Sequence, residues 1–500
     1  MRGTLSHLSI LILGAAPTGL GAAYHLNKVG NSKWLLLESE SEPGGLSTSF
    51  VDEHNFTWDI GGHVQFSHYD YFDQAMLNFL STEGWFNHQR ESWVWIRDRF
   101  VPYPFQNNIH HLPADELNHC LQGLVKITRC PPPKPSNFQE WIDGTFGQGL
   151  AEIFLKPYNF KVWAYPPAMM SAAWVSERVA VTDLGRVLKN LVYRTDDLSW
   201  GPNNTFQFPK HGGTGAIWKA CAAQLPQDKL HLNTKIAHID LNAKRVYTDD
   251  GREYVYEQLI STIPLLELIK LSGQMQFKAL AERGLLYSSS NIFGLGLRGK
   301  PKEELSTKCW IYFPEDNCPF YRVTVFSNYS PYNVPDISQH WSLMCEVSES
   351  PYKPVNHERL LEEVIQGALN TRLIERREDI ISKWQYRAGY GYPVPSLGRD
   401  KSLEEIIPFF EKLDVYSRGR FGMWKYEVGN QDHSFMQGVE IVERLLNGRE
   451  EVTAFDANYA NSKKHPWPFD RWSGFFGQET GIYKCETALG SCSCRSLFLK

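Results

Sequence analysis

The chain has 500 residues and is 42% hydrophobic, enough for a large buried core and too long for one simple domain. Its formal net charge is −5, no block of like charges stands out, and no apolar run is long enough to span a bilayer, so neither nucleic acid nor a membrane is expected as a partner. Nine cysteines, an odd number with no C-x-x-C pair, argue against a disulfide framework and fit a reducing, cytoplasmic compartment. The crowded Cys485, Cys492 and Cys494 lack zinc-site spacing, and no metal is expected.

Leu8–Leu13 reads as a buried parallel strand. Arg2 and the apolar stretch behind it have the outline of a signal peptide. The strand is preferred, because cleavage near Gly21-Ala22-Ala23 would remove the glycine motif that follows. That motif is Gly14-Ala15-Ala16-Pro17-Thr18-Gly19, leading into a helix from Leu20; a second strand, Trp34–Leu37, ends at Glu38. This is the βαβ unit that binds dinucleotides. Gly14, Ala16, Thr18 and Gly19 bring a helix N-terminus to a pyrophosphate, and Glu38 is placed to take ribose hydroxyls. Ala16 replaces the middle glycine of the pattern, and its methyl is expected to cost ~1–3 kcal/mol of cofactor binding if the site is tight. The plain alternative is an α/β turn with no ligand.

Glu42-Pro43-Gly44-Gly45-Leu46 follows closely. A glycine pair here resembles the second FAD-contact segment of amine oxidase-like flavoproteins, and it favours FAD over NAD, with Gly45 at the contact; alone it is a Pro-Gly turn. Next comes Asp59-Ile60-Gly61-Gly62-His63, whose two glycines let main-chain groups face a flat ring directly. A lone histidine is more often structural than functional.

The wider motifs are Val101–Asn108, Lys156–Trp163, Phe313–Arg322 and Gly419–Asp432, with the Gly61-Gly62-His63 loop before them. Together they resemble the UDP-galactopyranose mutases of the eukaryotic, fungal-like type, from about Leu8 to about Asn447. The resemblance implies an isomerase that interconverts UDP-galactopyranose and UDP-galactofuranose. Reduced FAD is required, with flavin N5 as nucleophile toward the anomeric carbon, so no serine or cysteine nucleophile is needed. The Gly61-Gly62-His63 loop would lie against the flavin.

The other roles are implied in the same way. Arg178 and Arg322 are the diphosphate clamp, for which a planar, permanently charged fork is suited. Tyr312, Tyr392 and Tyr426 add phosphate-facing hydroxyls, and Tyr103, Gln106, Asn159 and Trp163 hold the uridine. Asn203 positions the sugar, and Asn430, Gln431 and Ser434 form a further flavin contact ahead of a helix. NADPH is the implied reductant. With no second dinucleotide fingerprint it would share the substrate cleft, near Arg90, Ser92 and Arg420. On the residues alone, each arginine could be a surface salt-bridge partner and each tyrosine a packed core residue.

The expected fold is α/β: a Rossmann-like FAD-binding unit interleaved with a helical unit and an antiparallel-sheet substrate unit, an amine oxidase-like flavoprotein architecture. The FAD unit takes 1–85 with 203–265 and 420–450, and the helical uridine-side unit takes 108–200. The antiparallel-sheet unit takes 86–107 with 266–419. Pro131-Pro132-Pro133 marks a loop, and Gly212-Gly213-Thr214-Gly215 lacks the P-loop lysine and reads as a tight turn or a flavin-side contact. After Glu450 the resemblance fades, and 451–500 reads as a divergent tail of loop or disorder. Two rival readings remain at this stage: an FAD-dependent oxidoreductase on the same scaffold, or a degenerate UDP-sugar binder without catalysis. Homo-oligomerisation is left open.

Overall fold

The computed structural model describes residues 8–175, 179–198 and 204–475. Strand β1 (Leu8–Leu13) is aliphatic but for Ser9 and is buried on both faces, which suits a parallel strand covered by helices. It pairs in parallel with β2 (Trp34–Leu37) on one side and with β3 (Glu253–Ser261) on the other, in registers Ile10↔Trp34 and Ile10↔Gln258. Leu230–His231 extends the β2 edge, and an antiparallel hairpin of Ile236–Asp240 and Arg245–Thr248 extends the β3 edge.

Val415–Ser417, expected with the antiparallel unit, instead pairs in parallel with β3. Helices Leu265–Leu271, Lys278–Gly284 and Arg399–Glu411 join the same layer. Leu268, Ile269, Ala281, Ile406, Ile407 and Phe410 share one core with Leu11, Leu13 and Leu259. The unit boundary drawn at residue 265 therefore cuts through a packed layer. The reason is physical: the outer face of a parallel sheet needs helical cover, and this chain supplies it from later segments.

A second sheet of seven strands runs in the order 380–393, 287–298, 340–349, 322–325, 310–312, 92–96, 99–102. Within it β4 (Arg322–Val325) and β5 (His340–Glu349) pair antiparallel, with Arg322 opposite Glu346. Helices Ala114–Arg129 and Phe138–Leu150 lie against this sheet. The chain breaks at Gly147 (φ 71°, ψ 167°) and then runs helically through a π-helical turn over Ala151–Leu155 into α2 (Lys156–Trp163). Ile142, Phe146, Leu150 and Trp163 share a core with Val94, Val101 and Met344 of the sheet.

Helices α1 (Pro17–Lys28) and α3 (Gln431–Asn447) cross at backbone contact. A methyl on Gly438 would sit 2.0 Å from the Thr18 carbonyl oxygen and 2.7 Å from the Ala22 nitrogen, so only glycine fits there. The crossing aims both helix N-termini at the seam between the two sheets.

Residues 451–475 correct the expectation of a loose tail. Val452, Thr453, Ala454, His465, Phe469 and Trp472 are buried, and Ala457–Ser462 is helical. His465 N–H donates to the His68 carbonyl at 2.6 Å, and Asp70 N–H donates to the His465 carbonyl at 3.0 Å. The loop at Pro466-Trp467-Pro468 lies within this packed segment, with Trp467 against Tyr71. Cys485, Cys492 and Cys494 lie outside the described residues.

Candidate active site

One large cavity, about 1600 Å³, lies between the two sheets and the helical layer. Drug-sized ligand sites run to roughly 300–1,000 Å³, so this space holds more than one such ligand. One end is built by the N-termini of α1 and α3. Ala16, Pro17 and Thr18 line it from the first, and Asn430, Gln431 and Ser434 from the second. Two such termini aimed at one space favour an anion there.

Ala16 is extended at the cap of α1 (φ −80°, ψ 177°), and its methyl lies toward Gly45, where a side chain would come within 2.8 Å of it. The glycine pair thus leaves room for the methyl that the sequence pattern lacks. Gly14 and Gly19 stand behind the wall. Glu38 does as well: its carboxylate accepts the Ala15 N–H at 2.6 Å and the Glu40 N–H at 3.0 Å, pinning the turn against the end of β2. Gly212-Gly213-Thr214-Gly215 is a tight turn. Asp59 accepts the Thr214 N–H, the Ser49 hydroxyl accepts the Gly215 N–H, and Gly212 reaches the cavity wall.

The middle of the cavity is the Gly61-Gly62-His63 loop. A methyl on Gly62 would meet Trp310 Nε1 and Thr324 Oγ1, each at 2.7 Å. Those two atoms and His63 Nδ1 are buried without a hydrogen-bond partner among the described residues. Buried polar atoms are normally satisfied, and two of these three residues, Trp310 and His63, line the cavity, which suits a polar ring system beside the loop. Burial is the main cause that pushes the His63 imidazole down to about 4, with Arg420 and Arg322 adding to it against the opposing pull of Glu346. The ring is therefore neutral at neutral pH.

Arg322 lies beside this loop. Its Nε donates to Glu346 Oε1 at 2.7 Å and its Nη2 to Glu346 Oε2 at 2.8 Å. Glu346 also accepts the Tyr321 hydroxyl at 2.7 Å and the Gly62 N–H at 3.1 Å. Burial raises the Glu346 pKa, but the Arg322 charge and these hydrogen bonds outweigh it and hold the carboxyl below its ordinary range. Burial likewise works against the Arg322 charge, and Glu346 overcomes it and raises the guanidinium pKa well above normal. Glu346 is absent from the sequence expectations. Its only sequence signal is an acid on the more polar face of an alternating stretch, and the strand is buried on both faces.

The far end is aromatic. Tyr312 stands edge-on to Tyr103 and to Tyr158, with both ring pairs at 5.3 Å. Trp163, Trp174, Tyr392 and Tyr426 form a second cluster, with Trp163 and Tyr426 at 4.8 Å. Gln106 and Asn159 line the same wall. Gln106 Nε2 donates to the Ala180 carbonyl while its Oε1 is buried without a partner among the described residues, and Asn159 donates to the Leu155 carbonyl at 2.7 Å. Arg90 lies 4.7 Å from the Trp310 ring and donates to the Ser92 hydroxyl, which itself stays behind the wall. Arg420 lies over Tyr392 at 4.9 Å and donates to the Gly429 carbonyl at 3.1 Å. Trp174, Tyr158 and Trp310 complete the wall and were not singled out from sequence.

The structure thus brings Ala16, Thr18, Gly45, Gly61, Gly62, His63, Tyr103, Gln106, Asn159, Trp163, Tyr312, Arg322, Tyr392, Tyr426, Asn430, Gln431 and Ser434 to one cavity, together with Arg90 and Arg420. Arg178 and Asn203 lie outside the described residues.

A family model described as flavin containing amine oxidoreductase matches residues 17–366. The crystal structure of a reduced UDP-galactopyranose mutase is 50% identical, covers 92% of this chain and 98% of its own, and superposes with a TM-score of 0.89. An oxidoreductase from Methanosarcina mazei shares the fold at 16% identity over 87% of this chain and all of its own, with a TM-score of 0.60. A curated ferredoxin–NADP reductase of Acholeplasma laidlawii is 40% identical over 72 residues, which is 14% of this chain and 22% of that protein's length.

Proposed function

The chain belongs to the flavin containing amine oxidoreductase family and, within it, to the UDP-galactopyranose mutases, and from that premise we propose how its own residues divide the work of the cavity. It is a flavin-dependent isomerase that interconverts UDP-galactopyranose and UDP-galactofuranose. When bound, reduced FAD supplies the nucleophile for the anomeric carbon. The observation that carries the assignment of parts is the placement of Arg322 beside the Gly61-Gly62-His63 loop in a cavity large enough for two ligands.

The N-termini of α1 and α3 and Gly45 hold the cofactor's pyrophosphate end, and Glu38 fixes the turn that does so. Gly61, Gly62 and His63 form the wall for the flavin ring. A neutral His63 there adds no charge to the wall. Arg322, with Tyr312, Tyr392 and Tyr426 around it, grips the diphosphate, which leaves the sugar and must return to it. Arg178 is proposed as its partner. Tyr103, Gln106, Asn159 and Trp163 line the end of the cavity that holds the uridine, and Asn203 is proposed to position the sugar. The aromatic side chains of this wall displace water from the end of the cavity where the sugar nucleotide would lie.

NADPH is the proposed reductant. Arg90 and Arg420 both line this cavity, each over an aromatic ring, which supports a nicotinamide nucleotide sharing the substrate cleft. Anaerobic mixing with NADPH is expected to bleach the oxidised flavin band, and an unchanged spectrum would remove NADPH from this reading. A cytoplasmic location is proposed on the cysteine usage; no helix among the described residues is long and apolar enough to cross a membrane.

The test is conversion of UDP-galactofuranose to UDP-galactopyranose by purified protein, with dithionite-reduced and with oxidised flavin, followed by chromatography. Conversion is expected only in the reduced state. Arg322→Ala is expected to lower turnover by at least 10²-fold with FAD still bound, as loss of a charge-assisted phosphate contact of ~3 kcal/mol implies. Wild-type turnover in that variant would defeat the clamp.

A further inference from the structure

We propose that Glu346 tempers the diphosphate grip: it occupies two of the three guanidinium nitrogens of Arg322 and cancels its charge, so that UDP is released and recaptured quickly. The inference rests on the reading of Arg322 as the clamp.

The pairing is built into the sheet. Arg322 on β4 and Glu346 on β5 are directly opposed in register, and their side chains meet as a fork on a fork. The Glu346 side chain is 2% exposed and the Arg322 side chain 20%, so the carboxylate backs the guanidinium from the protein side and the arginine faces the cavity. Nε and Nη2 are engaged, while Nη1 makes no hydrogen bond to a described residue. The Tyr321 hydroxyl and the Gly62 N–H fix the carboxylate from two further directions. The carboxylate is therefore anchored by three residues, which hold it against the guanidinium.

Burying such a pair costs more in desolvation than a neutral pair would, so it is weak evidence for stability. Its consequence for binding is clearer. A free UDP carries more negative charge than the UDP of a sugar ester, and a bare buried guanidinium would favour the departed UDP over the bound sugar nucleotide. Binding that deepens such an intermediate state slows the steps that follow it. A neutralised arginine keeps the geometry of Nη1 for the phosphate without that trap. Glu346 is thus a positioning residue, acting through Arg322 and through Gly62.

A purely structural role predicts the opposite sign. If Glu346 merely held Arg322 in place, its loss would disorder the clamp and weaken UDP binding. The experiment is calorimetric titration of UDP into FAD-loaded E346Q beside wild type, with kcat and KM measured on the same preparations. Glutamine keeps an acceptor for Arg322 Nε and the Gly62 N–H. Its amide nitrogen takes the place of Oε2, which frees Nη2 and the arginine charge. Tighter UDP binding, about fivefold or more, with KM and kcat falling together, is expected; unchanged or weaker UDP binding overturns the proposal.

E346D, which draws the carboxylate back from Arg322, is expected to shift UDP binding the same way by a smaller factor. Failure of both variants to load FAD would make Glu346 a structural part of the flavin wall and would also overturn the proposal. Arg322→Ala separates the two levels. If it binds UDP like wild type, the clamp reading is at fault. If it loses UDP binding while E346Q weakens it too, the clamp stands and the present inference fails.

Discussion

Glu440 is a carboxyl group sealed inside α3, with Oε2 accepting the Val452 and Thr453 N–H groups at 2.6 and 2.9 Å and Oε1 accepting the Thr453 hydroxyl. Burial raises its pKa from 4.5 to about 7 against the pull of those donors. The folded state therefore binds a proton that the unfolded state releases near pH 4.5. The associated stability is fully present below that pH and is lost as pH rises through about 7, on the order of 3 kcal/mol in all. Asp59, raised by burial to about 6, acts in the same direction over a lower range. His63, depressed to about 4, acts in reverse and costs stability as pH falls from 6.5. Glu440→Gln mimics the protonated acid, and its melting temperature at pH 8 is expected to exceed that of wild type while the two nearly agree at pH 5. Parallel melting curves across that range would show that Glu440 does not titrate as described.

At this scale the sequence was legible wherever a residue belonged to a motif. Gly45, Gly62, Arg322 and Asn430 reach the cavity because local spacing places them there. Glu346 was not legible, because its role comes from cross-strand register with Arg322, and register is a property of the folded sheet. Glu38 was legible as an acid at the end of β2, but not as the group that pins the Ala15 N–H.

Among the elements, the crossing of α1 and α3 sets the end of the cavity proposed above for the cofactor. Gly438 has no space for a side chain at this contact, and a methyl on Gly21 would likewise fall 2.4 Å from the Phe435 carbonyl oxygen. Gly438→Val must push the helices apart, an overpacking of roughly 1–3 kcal/mol or more. Because both N-termini point at the same space, the damage is expected at the cofactor before it is seen in the fold. The variant should purify with much less FAD per chain, a lower melting temperature and a near-wild-type far-ultraviolet circular dichroism spectrum. Full FAD occupancy would show that the helices yield without moving their ends. The βαβ unit itself was legible from its aliphatic strand and glycine turn. The helices that cover the outer face of the first sheet were not, since Leu265–Leu271 and Arg399–Glu411 carry no local sign of which sheet they serve.

For the whole molecule, the segment after Glu450 matters more than its sequence suggests. Lys425 donates to the Ala454 carbonyl at 2.9 Å, Asn461 donates to the Glu427 carbonyl at 3.0 Å, and Tyr69 bonds the Thr453 hydroxyl at 2.8 Å. Phe469 and Trp472 close the core beside Tyr69, Tyr71 and Phe435. A chain ending at Glu450 would leave the Glu440 carboxyl without its main-chain donors and would uncover those aromatic rings. It is expected to be insoluble or free of FAD, as gel filtration and flavin absorbance of the shortened protein would reveal. A yellow, monodisperse product would show that the segment only decorates the core. This segment read as loop because it has few long apolar runs; its buried groups are single residues spaced among prolines and polar side chains.

The first sheet places β1 between β2 and β3, and α3 covers α1. A ribosome delivers the chain from its N-terminus, so the glycine turn emerges first and its covering helix near the end. At about 5–20 residues per second the interval is on the order of tens of seconds. Throughout it, α1 lacks the helix that covers it, and the cavity end proposed for the pyrophosphate has one wall. Holding factors would have their main task in that interval, and FAD uptake is expected only after translation has passed α3.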